Sequence, residues 1–266
     1  MVLDSTRSRS PHRRPCLAAG ALACLLACAS LPSAQAQGSA ASGAGASGGA
    51  GQSGDSAGST SQTQQTALKH VSDAVGVVHT MANEPGMANL VKQALGIYIV
   101  PSYGRAALGV GAAGGSGVLT IKRADGSWGN PAFFNIGGLS IGLQAGVEGG
   151  AIALLLMNPK AVDSFRKKNN FSFTADAGFT VVNYARVASG RVIGDVIAWS
   201  GNKGLFGNAA TLAINDVRFN SDLTNAYYGK PTTAQQAIDS KEANPQAGAL
   251  RKALASPPTP SGTGAR

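Results

Sequence analysis

The chain has 266 residues, 44% of them hydrophobic and 13% charged, with a formal net charge of +9. Residues 1–36 hold four Arg and one Asp, so the remainder carries 18 Lys/Arg against 12 Asp/Glu, or +6. Such mild, diffuse positive charge suits anionic lipid headgroups or an acidic partner, and excludes a dense nucleic-acid-binding surface.

The N-terminus reads as a secretory leader. Four arginines in residues 1–15 precede an apolar run from Cys16 to Leu31, and Ala34-Gln35-Ala36 places alanines at −3 and −1 before Gln37. Leu25-Leu26-Ala27-Cys28 offers a second processing route, in which Cys28 becomes the lipidated first residue of an outer-membrane-anchored lipoprotein. Pro32 favours ordinary cleavage after Ala36, because it ends the leader helix ahead of the cut. Both routes export the protein, with the periplasm as the expected location. All three cysteines (16, 24, 28) lie in this leader, so neither a disulfide nor a Cys-based site is expected in the folded part.

Residues 37–65 are almost wholly Gly, Ser, Ala, Thr and Gln with one charge, and read as a flexible linker. The folded domain is expected over 66–240, followed by a C-terminal helix and a disordered tail in 241–266. Leu68, Val71, Val75, Val78 and Ala82 recur at three and four, predicting a helix over about 68–82. Pro85 opens a second helix, with Gly96 as its expected stop. GIYIVPSY then reads as a strand. Gly117–Lys122, a turn at Ala124-Asp125-Gly126-Ser127, and a return through Trp128 and Phe134 form a hairpin, since Asp-Gly between apolar runs is a strong turn signal.

Residues 136–157 have one charge, Glu148, and glycines at 138, 142 and 146. As a helix this is the GxxxG pattern of a membrane-spanning pair. The flanking Asp125-Gly126 turn and Pro131, and the Glu148-Gly149-Gly150 break, favour two strands instead, with the glycines on one face of the first. Asn158 as N-cap, Pro159 at N1 and Arg166-Lys167-Lys168 at the C-terminus delimit a helix. Strands are expected in 171–183, 191–201 and 204–215, and helices at 221–228, 232–238 and near the C-terminus. The fold class is α+β: a strongly coiled, glycine-rich antiparallel sheet, barrel-like or a sandwich, with helices at both ends and one inserted.

Nothing in the residues argues for catalysis. His70 and His79 are half a turn out of phase on one helix, GVGAAGGSG (109–117) lacks the Lys-Ser/Thr of a phosphate loop, and the acids Glu148, Asp163, Asp176, Asp195 and Asp216 are scattered. No enzyme activity, cofactor or metal is expected.

Val100-Pro101, GSGVLTI, DGSWGNPAFFNIGGLSIGLQAG, VEGGAIALLLMN, NKGLFGNAATLAIN and Asn225-Ala226-Tyr227-Tyr228-Gly229 together resemble the SYLF-domain lipid-binding family, as a bacterial exported member, over roughly 68–240. The resemblance implies a non-enzymatic module. In eukaryotic members it implies phosphoinositide binding, actin-linked membrane remodelling and a basic amphipathic N-terminal helix; here helix 68–82 has only Lys69 as a permanent cation. No actin or nucleic acid is expected as partner in an exported compartment. The expected partner is an anionic phospholipid or membrane surface, contacted by Lys69, Lys92, Arg105, Lys122, Arg123, Arg166, Lys167 and Lys168. The alternative is an envelope structural or protein-interaction module.

Overall fold

A computed structural model describes residues 54–105, 113–140, 149–188, 194–206, 209–241 and 244–257. The chain divides into two compact units, Met1–Gly49 and Ala50–Arg266, and every described residue lies in the second. The leader, Cys28, Glu148 and the glycines at 142 and 146 lie outside the described residues.

Helix α1 (Gly54–Ala82) begins within the stretch read as linker. Ala67, Val71, Ala74, Val78 and Met81 anchor its C-terminal part in the core. Extending a nucleated helix costs far less than starting one, and Thr63 and Thr66 add hydroxyl bonds to the carbonyls of Ser59 and Gln62. The helix α2 (Met87–Gln93) follows Gly86, whose φ of 79° needs glycine. Gly96 is not its stop. Ala94 caps α2, and Gly96 opens strand β1 (Gly96–Arg105), where a Cβ would lie 3.2 Å from Leu156 and 3.3 Å from Ile121.

The sheet continues with β2 (Ala113–Ile121), β3 (Ala132–Ile136), β4 (Leu139–Ser140) and β5 (Gly150–Leu156). After α3 (Pro159–Lys167) come β6 (Asn170–Phe173), β7 (Val181–Asn183), α4 (Tyr184–Ala188), β8 (Val196–Ser200), α5 (Lys203–Phe206) and β9 (Thr211–Phe219). Helices α6 (Ser221–Tyr228), α7 (Ala234–Asp239) and α8 (Gly248–Ala255) close the described chain, with a 3₁₀ turn at Pro245–Ala247 before α8. Strands pair in the order β3-β2-β1-β5-β8-β7-β9, and β9 pairs back onto β3, so the sheet forms a ring with β4 and β6 as further partners of β9. The described parts of residues 136–157 enter the sheet as strands, and no described helix is long and apolar enough to cross a membrane.

The architecture is the expected α+β fold with a coiled sheet, and three details differ. The sheet is not wholly antiparallel: β7 and β8 run parallel, with α4 in the crossover that parallel neighbours require. The strand expected over 171–183 is broken, because Lys160 Nζ donates to Gly178 O at 2.6 Å and sits 4.3 Å over the Phe179 ring, holding the intervening turn. The start of the strand expected over 204–215 is instead α5, initiated by Gly204 N–H donating to Asn202 Oδ1, with Leu205 and Phe206 buried.

Both faces of the ring are apolar. One core draws on every long strand: Tyr98, Leu119, Phe134, Leu154, Ala198 and Ile214 share it with Phe165 of α3. Phe165 makes edge-on contacts with Phe134 at 4.9 Å and Phe171 at 4.8 Å. The alternate residues Ile97, Ile99, Val118, Phe133, Leu155 and Trp199 face outward under α1, α2, α6 and α8. Burial on both faces explains why GIYIV and AIALLL are unbroken apolar runs rather than alternating ones.

Tyr98 of β1 ties three strands together. Its ring lies over Gly117 of β2, and its hydroxyl donates to Phe134 O of β3 at 2.9 Å. A Cβ at 117 would meet Ile99 O at 2.5 Å and Tyr98 Cε2 at 2.7 Å, whereas one at Gly138 would meet nothing within 4 Å. Gly117→Ala is therefore expected to lower stability by about 2–3 kcal/mol, a Tm loss of roughly 4–12 °C, while Gly138→Ala shifts Tm by no more than about 2 °C; thermal melts of both variants measure the contrast.

Candidate anion-binding surface

At the end of the sheet where Gly96 pairs with Ile121, β2 gives way to a tight turn. Arg123 N–H donates to Ser127 O at 2.7 Å, Gly126 N–H to Arg123 O at 2.9 Å, and Gly126 has φ 82°. Asp125 Oδ1 accepts from the Ser127 hydroxyl at 2.6 Å and from its N–H at 2.8 Å, which holds the carboxyl below its usual range. The turn projects Lys122 and Arg123 beside the C-terminal ends of α3 and α7. Together they enclose a cleft of about 500 Å³ carrying Lys122, Arg123, Arg166 and Lys241 against Asp125 and Asp239.

Each cation has a distinct setting. Lys122 Nζ donates to Lys92 O at 2.7 Å, at the C-terminal end of α2 where carbonyls are unpaired, and lies 4.9 Å over the Trp128 ring. Partial burial pulls its ammonium below the ordinary lysine range. Arg123 Nη2 donates to Ser240 O at 2.9 Å, tying the turn to the end of α7. Arg166 Nε lies 3.2 Å from Asp239 Oδ1 but outside hydrogen-bond geometry, so this buried nitrogen has an ionic partner and no hydrogen-bonded one. Lys167 is paired with Asp163 one turn back at 2.7 Å. Lys168 caps α3 and is exposed, as are Lys92 and Lys241.

The structure thus gathers Lys122, Arg123 and Arg166 around one cleft, with Lys167 and Lys168 on the same helix end and Lys92 joined through its carbonyl. It does not gather Lys69, which pairs with Asp73 along α1 at 2.6 Å. Arg105 is at the far end of β1 from the Gly96–Ile121 pair. Lys241 and Asp239 are cleft residues that sequence reading missed. The available signal was a cation just beyond the last turn of a predicted helix, where the dipole favours it. Among the described residues no cluster of three or more His, Cys, Asp or Glu could hold a metal ion.

The fold and cleft can be set beside known proteins. Residues 137–257 match the Ysc84 family model, described as "Las17-binding protein actin regulator". Residues 137–257 thus carry a Ysc84, or SYLF, domain. This match runs from Gly137 through α8, while the motif resemblance starts nearer residue 68. The chain is 29% identical over 123 residues to the SH3 domain-containing YSC84-like protein 1 of Homo sapiens, covering 45% of this chain and 36% of that protein. The Mus musculus protein is 30% identical over the same length, and that of Bos taurus 30% identical over 105 residues, 40% of this chain and 30% of that protein. The chain spans about a third of the length of these curated relatives.

The hydrogen bonds separate structural cations from uncommitted ones. Lys122→Met keeps the aliphatic stem over Trp128 but loses the bond to Lys92 O, and is expected to cost about 1 kcal/mol, or roughly 2–4 °C in Tm. Lys168→Ala is expected to stay within about 0.5 kcal/mol of the parent chain. Parallel thermal and urea unfolding of the two variants measures the difference.

Proposed function

We propose that this protein is a non-enzymatic module that docks on anionic membrane surfaces, with the basic cleft between the β2–β3 turn, α3 and α7 receiving a phosphate-bearing headgroup. The observation that carries the reading is the convergence of Lys122, Arg123, Arg166 and Lys241 on one cleft whose carboxylates, Asp125 and Asp239, are fewer and already engaged. Lys92, Lys168 and Lys241 are exposed and supply the long-range attraction. Arg123 and Arg166 have planar guanidinium groups suited to phosphate oxygens. The SYLF-domain match supports a binding module over an enzyme. The leader read in residues 1–36 would put this docking in the periplasm, on an envelope membrane, with or without a lipid anchor at Cys28.

A protein-binding role is the second reading, favoured by the family description, which names a protein partner. Both are addressed by one experiment. The full chain is expected to co-sediment with phosphatidylglycerol or cardiolipin vesicles at low salt, to release as salt screens the charges, and to ignore phosphatidylcholine vesicles. At about 1 kcal/mol for each surface cation, Lys92→Ala, Lys168→Ala and Lys241→Ala combined should weaken partitioning by about 100-fold, with an unchanged melting profile. Equal sedimentation with anionic and neutral vesicles, or no effect of the triple substitution, would overturn the lipid reading. Salt-insensitive capture of an envelope protein would then take its place.

A further inference from the structure

On the other side of α7 lies a second and larger cleft, of about 960 Å³, between α1, α6, α7 and the 3₁₀ turn. Its chemistry is unlike that of the basic cleft. Lys230 is the one charged side chain among its described lining residues, and amides and hydroxyls make up most of the rest. Gln64, Asn130, Gln236, Asn244 and Gln246 converge on it from separate elements.

The fold spends the side-chain oxygens of Asn130, Asn244 and Gln236. Asn130 Oδ1 accepts from Asn244 N–H and from Arg251 Nη1, both at 3.0 Å. Asn244 Oδ1 accepts from Gln246 N–H at 2.9 Å, and Gln236 Oε1 accepts from Thr233 N–H at 2.9 Å in the capping box of α7. Nδ2 of Asn244 and Nε2 of Gln236 therefore face no internal demand, and neither amide of Gln64 or Gln246 is spent. A wall rich in neutral donors calls for a ligand rich in neutral acceptors.

Two tyrosines complete the surface. The rings of Tyr227 and Tyr228 meet edge-on, 5.1 Å apart at 81°, and both line the cleft. The Tyr228 hydroxyl donates to Pro131 O at 2.7 Å. That of Tyr227 is buried with no hydrogen-bond partner, although the residue is only 3% exposed. Buried hydroxyls are normally satisfied, so the fold leaves this one with a hydrogen bond still to make.

We propose that this cleft is a carbohydrate site that takes a short stretch of uncharged glycan. A sugar offers hydroxyl and ring oxygens to the open amide N–H groups, a C–H face to the tyrosine rings, and a hydroxyl for Tyr227. The absence of acidic lining among the described residues removes cationic ligands, and the single Lys230 distinguishes the site from the four-cation cleft across α7. The volume lies at the upper end for small-molecule sites, room for an oligomer rather than one monosaccharide.

The test is an NMR titration of the isotopically labelled full chain with tetra-N-acetylglucosamine and with maltotetraose, using inorganic phosphate as the charged control. At least one oligosaccharide is expected to give saturable shifts at Gly229, Thr232 and Gln246, insensitive to added salt. Gln64→Ala combined with Gln246→Ala should weaken that binding about tenfold, as expected for two lost hydrogen bonds, with no loss of Tm. Tyr227→Phe, which removes the unsatisfied hydroxyl, should keep or raise Tm while lowering affinity. No shifts from either sugar at about 20 mM, a Kd far weaker than the usual millimolar floor, would overturn the proposal. So would shifts reproduced by phosphate, or binding untouched by both variants.

Discussion

The ring depends on one aromatic side chain lying flat across a strand that has no side chain of its own there. Tyr98 crosses Gly117 to reach the carbonyl of Phe134, so β1, β2 and β3 must curl together for the bond to form. Burial pushes the Tyr98 hydroxyl well above its ordinary pKa, keeping it a neutral donor. With this curl set, Phe134 turns inward onto Phe165, and the phenylalanines of β6 fill the remaining interior. Glycine at 117 is therefore a packing requirement, because any Cβ would displace the ring that holds the curvature.

The curled sheet, buried on both faces, leaves function to its rim. Turns and helix ends carry the cations there, and most are partly neutralised by local partners. Lys69 and Lys167 belong to i,i+4 pairs, which contribute only a few tenths of a kcal/mol each. Lys122 and Arg123 brace carbonyls at the ends of α2 and α7. The same groups that hold the rim together thus shape its field, and a sum over formal charges overstates what an approaching anion meets. The α7 helix stands as a wall between this field and the uncharged cleft behind it, with Asp239 and Lys241 on one side and Gln236 and Ser240 on the other.

Local chemistry was legible in the sequence. Asn158 caps α3 by accepting from Ala161 N–H at 2.9 Å, with Pro159 following, as the dipeptide predicts. The Asp125-Gly126 turn and the bounds of α6 follow from equally short-range signals. Non-local features were not legible. Asp216 takes a left-handed φ of 59° because β9 carries an extra residue against β6, while Ser172 Oγ accepts its N–H and Gly137 leaves space for its side chain. None of those partners is near it in sequence. The cleft was half legible for the same reason: Lys122, Arg123 and Arg166 stood out as basic residues, but their meeting with Lys241 depends on how α7 returns over the rim.

The return of β9 to β3 has a kinetic side. The β1–β2–β3 meander joins near neighbours in sequence, but Asn220 reaches Asn135 across 85 positions. Loop-closure entropy makes the near contacts form first and the far one last. Until β9 arrives, β3 has an open edge of unpaired backbone groups over a row of buried-to-be phenylalanines, a template for the wrong strand as well as the right one. The closed ring removes that hazard in the native state and concentrates it in the interval before closure, so the time spent nascent, more than the final stability, sets how readily this chain aggregates.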